Sequence, residues 1–294
     1  MAPARTPVTR AGAEQATRRG TFPNGMEYLT WGHGPRTMLF IPGGPGSAVP
    51  TGLMLRRCRK MFAPYVDAGF AVWVVTRRRH MPAGHTIADM ADDHARAIVD
   101  GLGGRADLVV GESYGGMIAQ YLAAFHPARF QHLAIVVAGC EVSQWGKDVD
   151  SRLADALARG DRTAAGTAVT EYLLPGDRLR WLRKALGFLF GRTVLPGKDY
   201  PTEDVLTEIR AEVAFDSRGV LPGIQAHVLM ICGDRDRFFP RDVVQETADL
   251  IPDCTLVWYA GKGHVGTASS GRVTRDVLAF VDQEQPGPRP GHGD

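Results

Sequence analysis

The residues able to do chemistry stand at three places in the chain. Ser113 sits between two glycines in Gly111-Glu112-Ser113-Tyr114-Gly115. Two carboxylates follow a glycine in Gly233-Asp234-Arg235-Asp236, and His264 lies in the glycine-rich stretch Gly261-Lys262-Gly263-His264. A serine hydroxyl is a poor nucleophile at neutral pH. It needs a base within hydrogen-bond reach, and that base needs an orienting partner. The three places supply those residue types: Ser113 to attack, His264 as base, and Asp234 or Asp236 as acid, with Glu141 a more remote carboxylate. Gly-x-Ser-x-Gly by itself also describes a plain glycine-serine loop, so the reading depends on what flanks it.

An apolar run, Leu108-Val109-Val110, ends at Gly111, and Met117, Ile118, Tyr121, Leu122 and Phe125 recur at helical spacing after Tyr114. A strand that reverses into a helix this tightly strains its middle residue. It also brings the residues two before and two after into near contact, where only glycine fits. The new helix begins under the serine with unpaired N–H groups and a positive dipole end.

The rest of the chain supplies a frame for this turn. Thr21-Phe22 and Met26 to Trp31 flank Asn24-Gly25, a hairpin signal. Residues 37–41, 70–75, 132–138, 227–232 and 255–259 read as buried strands. Helical patterns cover 53–68, 86–102, 241–251 and 270–283, with Thr86 as a cap. Continuous apolar strands alternating with helices predict a parallel sheet covered on both faces. From 142 to 222 the rhythm breaks into helices near 148–159, 162–174, 177–190 and 202–214, with turns at Pro175-Gly176 and Pro196-Gly197. In a parallel sheet the strand C-terminal ends share one edge, where ligands bind. Ser113, the aspartate pair and His264 each follow such an end. Their order, serine then acid then histidine, matches the hydrolases built on this sheet.

On these motifs, over about residues 17–283, the chain resembles the α/β-hydrolase superfamily. The Gly43-Gly44-Pro45-Gly46 loop and the helical insertion resemble the branch of proline iminopeptidases and related capped esterases and lactonases. The resemblance implies an α/β-hydrolase fold, with a mostly parallel eight-stranded sheet, helices on both faces and an inserted helical cap. It implies Ser113 as nucleophile, His264 as base and Asp236 as acid, since the family's acid usually stands three residues after the strand-ending glycine, here Gly233. The oxyanion hole follows: one backbone N–H from Tyr114 and one from the Gly43-Gly44-Pro45 loop, where the family suggests Gly44. Two positions depart from the pattern. Pro42 stands where the family usually has a histidine that braces the loop, and Tyr114 stands where the iminopeptidases usually have tryptophan. Serine as nucleophile speaks against the epoxide and haloalkane hydrolases of the superfamily, which use aspartate.

The expected domain division is a disordered tail over 1–16, a core over 17–141 and 223–283, a helical cap over 142–222, and a disordered tail over 284–294. A net charge of +2 predicts no nucleic-acid partner, and no run is long enough to span a membrane. The cysteines Cys58, Cys140, Cys232 and Cys254 have neither metal-ligand nor redox spacing and read as free thiols. No cofactor or metal is implied, no secretory signal is visible, and a cytoplasmic location is expected. Nothing in the pattern specifies an oligomeric state. Trp145, Tyr172 and Trp181 are candidates for an apolar pocket wall, with Trp181, Leu182, Leu186 and Phe190 expected to lie on the body. His80 and His85 are loop histidines near the site, and Asp92-Asp93-His94 reads as a solvated helix face. The expected reaction is hydrolysis of a small or medium carboxylic ester or lactone. The runner-up is an aminopeptidase, which needs a cap carboxylate for the substrate amine; Glu171, Asp177, Glu203 and Asp204 are available. Thioester hydrolysis, or a lyase, cyclase or ligand binder reusing the fold, are the further alternatives.

Overall fold

Asn24-Gly25 turns the chain back on itself. Gly25 takes φ 82°, a region that glycine enters freely, and β1 (Arg18–Thr21) pairs antiparallel with β2 (Glu27–Trp31). The protein is represented by a computed structural model that describes residues 17–173, 180–193 and 200–283. Both expected tails, and the turns expected at Pro175-Gly176 and Pro196-Gly197, lie outside the described residues.

Next come β3 (Arg36–Ile41), α1 (Gly52–Asp67), β4 (Phe70–Val75), α2 (Ile87–Gly101), β5 (Ala106–Glu112), α3 (Tyr114–Phe125) and β6 (Phe130–Val136). Four helices intervene: α4 (Gln144–Ala158), α5 (Arg162–Leu173), α6 (Arg180–Thr193) and α7 (Thr202–Val213). The strand rhythm then resumes with β7 (Val228–Gly233), α8 (Arg241–Leu250), β8 (Cys254–Tyr259), α9 (His264–Ala268) and α10 (Gly271–Gln283). The eight strands form one sheet in the order β1-β2-β4-β3-β5-β6-β7-β8, and all neighbours from β4 to β8 run parallel. This is the α/β-hydrolase architecture. Registers such as Ile41 beside Gly111, Glu112 beside Val136 and Gly233 beside Tyr259 align the strand ends on one edge.

Each face of the sheet carries its own core. Met90, Ile98, Met117, Leu122 and Val244 from α2, α3 and α8 pack on one side, and Phe62, Tyr65, Val277 and Phe280 from α1 and α10 on the other. A third apolar cluster, with Val149, Leu153, Ala165, Val205 and Ile209, holds the inserted helices to one another. Among the described residues no helix is long and apolar enough to cross a membrane.

Two expectations are corrected. Asp93 and His94 are buried rather than solvated. Asp93 accepts from Asn24 Nδ2 at 3.2 Å and pairs with His85 Nε2 at 3.0 Å, while His94 Nδ1 donates to the Met90 carbonyl at 2.8 Å. The helix is amphipathic, but its buried stripe is wide enough to include two polar groups, each of which finds a partner. Trp181 is 70% exposed and lines neither cavity that reaches Ser113 or His264. The reason is the α5–α6 contact. A Cβ on Gly166 would fall 2.1 Å from the Gly187 carbonyl oxygen, and one on Gly191 would fall 2.0 Å from the Arg162 carbonyl oxygen. The helices meet through glycine backbones, so the glycine side of α6 is buried and Trp181 faces out. Leu182 and Leu186 are half-buried, and the side chain of Phe190 lies outside the described set.

Burial, above all, lowers the His94 pKa from 6.5 to about 4. The unfolded chain therefore takes up a proton below pH 6.5 that the folded chain refuses until about pH 4. This contribution to stability is complete above pH 6.5 and is lost as pH falls through that window, by up to about 3 kcal/mol. His94→Gln keeps a donor for Met90 and cannot titrate. Its stability relative to wild type, from urea melts, is expected to rise between pH 6.5 and 4; parallel pH curves would refute the assignment.

Candidate active site

β5 ends in the turn that carries Ser113. The serine adopts φ 53° and ψ −114°, a region that non-glycine residues rarely enter. Its N–H donates to the Val136 carbonyl at 2.8 Å, tying the strained residue to β6. Glycine is required on both sides. A Cβ on Gly111 would meet the Gly115 carbonyl oxygen at 2.4 Å, and one on Gly115 would meet the Ile41 carbonyl oxygen at 2.0 Å.

The loops after β7 and β8 bring the other two groups to Ser113. His264, the first residue of α9, places Nε2 2.9 Å from Ser113 Oγ and Nδ1 2.7 Å from Asp236 Oδ2. With the proton on Nδ1, His264 donates to the carboxylate and accepts from the serine hydroxyl. Asp236 is buried, and its Oδ1 accepts from the Phe238 and Phe239 backbone N–H groups at 2.8 and 3.3 Å. Phe239 stacks on the imidazole at 5.9 Å. The structure separates the two candidate aspartates by role. Asp234 Oδ1 accepts from Gly261 N–H at 2.7 Å and joins the two loops. Glu141 pairs with Arg218 and Lys147 instead.

The Gly43–Gly46 stretch after β3 lies beside Ser113: a Cβ on Gly43 would come within 3.0 Å of the serine Cβ. Gly44 has φ 67° with open space around its missing side chain. Neither the Gly44 N–H nor the Tyr114 N–H makes a hydrogen bond among the described residues. Both residues adjoin the cavity or the serine: Gly44 lines a cavity that opens on Ser113, and Tyr114 follows Ser113 in the chain.

No sequence signal marked the brace beneath this loop. Arg77, fully buried at the end of β4, donates through Nη1 to the Pro42 carbonyl at 3.0 Å and through Nη2 to the Gly44 carbonyl. Its ion-pair partner is Glu208 on α7, at 2.9 Å. Burial opposes the arginine's charge, but Glu208, Tyr200 and Tyr114 together more than offset it and hold the pKa above the ordinary value. Glu208 also accepts from the Gly46 N–H and the Tyr200 hydroxyl. The guanidinium lies over the Tyr114 ring at 4.3 Å, and the Tyr114 hydroxyl donates to the Glu208 carbonyl at 2.9 Å. One buried ion pair therefore links the inserted helices, the glycine loop and the residue after the serine.

A cavity of about 610 Å³ opens on Ser113 and His264. Its walls include Met54, Met61, Val169, Tyr172 and Phe238, together with Glu112, Asp150 and Glu212. A neighbouring cavity of about 230 Å³ is lined by Trp145, Tyr172, Phe238 and His264. Trp145 and Tyr172 thus reach the site, each packed on Phe238. Of the sequence-named carboxylates, Glu171, Glu203 and Asp204 do not line the larger cavity. Glu171 pairs with Arg152 and Arg183, Asp204 accepts from the His80 and Met81 N–H groups, Glu203 is exposed, and Asp177 lies outside the described residues. His80 is exposed, and His85 is engaged with Asp93. Among the described residues, no group of three or more His, Cys, Asp or Glu side chains is placed to hold a metal.

Comparisons with known proteins bear on the fold. A family model described as alpha/beta hydrolase fold matches residues 36–267. "Putative carbamate hydrolase RutD" of Yersinia enterocolitica is 27% identical over 199 residues, covering 67% of this chain and 70% of that protein. Among solved structures, the alpha/beta hydrolase MGS-M2 from a Medee basin deep-sea metagenome library superposes with TM-score 0.69 at 15% identity, over 90% of this chain and 96% of that one. The enol-lactonase of Burkholderia xenovorans LB400 superposes with TM-score 0.66 at 21% identity, over 88% and 96%.

Removing one partner of a buried ion pair costs about 3–5 kcal/mol, because the other charge is left unpaired. Arg77→Met and Glu208→Gln are each expected to lower the melting temperature and any turnover at Ser113. The double variant Arg77→Met/Glu208→Leu is expected to recover much of the stability but not the turnover, since the glycine loop stays unbraced. Full recovery of both would show that the pair does not position the loop.

Proposed function

The chain belongs to the α/β-hydrolase family, and within it we propose a serine hydrolase that cleaves small or medium carboxylic esters or lactones through an acyl-enzyme on Ser113. The observation that carries this reading is His264 standing between Ser113 Oγ and Asp236 Oδ2 at 2.9 and 2.7 Å. The largely apolar wall of the adjoining cavity supports an apolar acyl part. We assign residues 142–222 as a cap that shapes this cavity, because α4, α5 and α7 contribute Asp150, Val169, Tyr172 and Glu212 to it.

In the first half-reaction Ser113 Oγ bonds to the substrate carbonyl carbon as His264 Nε2 takes the hydroxyl proton. The carbonyl oxygen becomes an oxyanion, held by the Gly44 and Tyr114 N–H groups. Asp236 steadies the imidazolium through Nδ1–H. The carbon–oxygen bond to the leaving group then breaks as His264 returns its proton to the departing oxygen. In the second half-reaction water gives a proton to His264 and its oxygen to the acyl carbon. The Ser113 ester bond breaks, the acid leaves, and Ser113 regains its proton. A carbamate carbonyl would pass through the same steps, and the name of the RutD relative makes carbamates a member of any substrate panel.

An activated serine reacts with a fluorophosphonate, whereas an ordinary one does not. Intact mass spectrometry is expected to find one adduct on wild type and none on Ser113→Ala, and Ser113→Ala to lose about 10⁶ in kcat on any ester the wild type turns over. Absence of an adduct on folded wild type would overturn the hydrolase reading. Gly44→Val, which forces a branched residue into φ 67° and into the cavity, is expected to lower turnover by about 10²–10³. Normal turnover in that variant would count against Gly44 as a donor.

A further inference from the structure

Apart from His264, the ionisable side chains lining the large cavity are Glu112, Asp150 and Glu212, and among the described residues no lysine or arginine lines it. At the rim the sign reverses. Helix α1 gives Met54 and Met61 to the cavity wall, and both are exposed, so the cavity opens to solvent beside this helix. Cys58 lies between them on the same line of α1. Burial first, and Glu112 second, push its thiol up to about 11, which turns this line toward the end of β5. Arg57 stands three positions after Met54 and four before Met61, and so borders both on the helix surface. Leu53 and Lys60 continue that stripe, with Arg56 next to it. Arg56, Arg57 and Lys60 are exposed, and Arg59 is half-buried.

The helix itself gains nothing from these cations. Like charges three and four positions apart weaken a helix rather than support it. No acidic residue occurs between Glu27 and Asp67 to offset them. Among the described residues none of the four meets a carboxylate, whereas Arg152, Arg218 and Arg272 each do. What α1 offers is a set of uncommitted donors beside the opening of an apolar cavity whose own charges are acidic. An anionic group is repelled from the interior and attracted to the rim. With the acyl part inside, the anion belongs on the alcohol part, which stays outside. Two neighbouring cations match a group with a charge near −2. A phosphate monoester carries about −1.5 to −2 at pH 7 and presents oxygens that fit the arginine fork. A single carboxylate would be matched by one of the cations alone.

We propose that Arg57 and Lys60, with Arg56 beside them, receive a phosphate group on the alcohol part of the substrate, so that the preferred substrates are acyl esters of phosphorylated alcohols. This rests on the reading of Ser113 as the attacking group with the acyl part in the cavity, and it names the class of leaving group. The bond that breaks is the one between the acyl carbon and the alcohol oxygen, and His264 returns its proton to that oxygen. The phosphate ester bond is untouched. The phosphorylated alcohol leaves from the rim without crossing the acidic interior.

The test separates binding from turnover. The esters 1-hexanoylglycerol 3-phosphate and 1-hexanoylglycerol differ only in the phosphate, and their short chain keeps them monomeric. Both are titrated calorimetrically into Ser113→Ala, and their kcat/KM values are compared on wild type. Exposed ion pairs are individually weak, so two or three of them together predict a preference of about 10-fold for the phosphorylated ester in both readouts. Sodium chloride at about 0.5 M is expected to shrink that preference, because exposed charges are screened. Arg57→Gln/Lys60→Gln, added to either background, is expected to bring it to about 2-fold or less. Arg96→Gln/Arg275→Gln removes the same charge from α2 and α10 and is expected to retain it. Thermal melts check that each variant is folded. Equal affinity for the two esters, no measurable binding of the phosphorylated one, or a preference that survives in Arg57→Gln/Lys60→Gln overturns the proposal. Loss of binding to phosphatidylglycerol vesicles in that variant, with no preference between the monomeric esters, assigns the cations to a lipid surface and overturns it too. Fluorophosphonate labelling is the control on the nucleophile. Labelling without a phosphate preference sinks this inference alone. A phosphate preference in binding without labelling sinks the hydrolase reading and leaves the rim site standing.

Discussion

Between Gly111 and Gly115 there is no room for a side chain on either residue. That steric constraint lets β5 reverse into α3 within a single turn, and it forces Ser113 into φ 53°. The strain is held by contacts on both sides. The Ser113 N–H is fixed to β6, and Gly115 is pressed against the end of β3. A backbone held this way cannot relax on its own, so the hydroxyl stays above the sheet edge where the β7 and β8 loops deliver Asp236 and His264. The remaining parts of the site are arranged around a point already fixed by backbone packing.

The glycine loop after β3 lacks such internal rigidity, and its order comes from outside. Arg77 reaches it from the end of β4, and Glu208 reaches Arg77 and Gly46 from α7. A buried ion pair is weak evidence for stability, since desolvation offsets most of the attraction. Its value here is geometric: it fixes the carbonyl side of the loop beside the serine. The same helix supplies Glu212 to the cavity, one turn after Glu208. Bracing of the loop and a carboxyl in the cavity wall are therefore carried by one inserted element, so a change in α7 would disturb both.

Several features were legible in the chain because they rest on local rules. The Asn-Gly hairpin, the alternation of buried strands with helices, and the serine–acid–histidine order all follow from backbone sterics and hydrophobic period. Other features were not, and the misreadings share a cause. Asp93 and His94 read as solvated, and Asp204, Glu208 and Glu212 on α7 carry no expectation of burial, because hydrophobic period alone places polar helix residues in solvent. They are buried because α2 and α7 are covered on more than one side; Asp93, Asp204 and Glu208 find partners on distant segments, His94 finds one within its own helix, and Glu212 Oε2 has none among the described residues. Trp181 failed in the opposite sense. Its size suggested a pocket wall, but the glycines of α5 and α6 let backbone meet backbone and turned it outward.

The sequence by itself determined the fold class, the frame of the sheet, and the serine and histidine at its edge, with two aspartates open for the third place. Strand period, glycine sterics and residue order are properties of short stretches, and they survive without knowledge of what packs where. Only the tertiary structure decided which aspartate faces His264, what braces the glycine loop, and which carboxyls line the cavity. Asp236 and Asp234 stand two residues apart in one loop, and their roles diverge because one is aimed at the imidazole and the other at Gly261. Arg77 with Glu208, and Asp150 with Glu212, are separated by long stretches of chain. Their encounters depend on how the inserted helices settle on the core, and no local pattern encodes that.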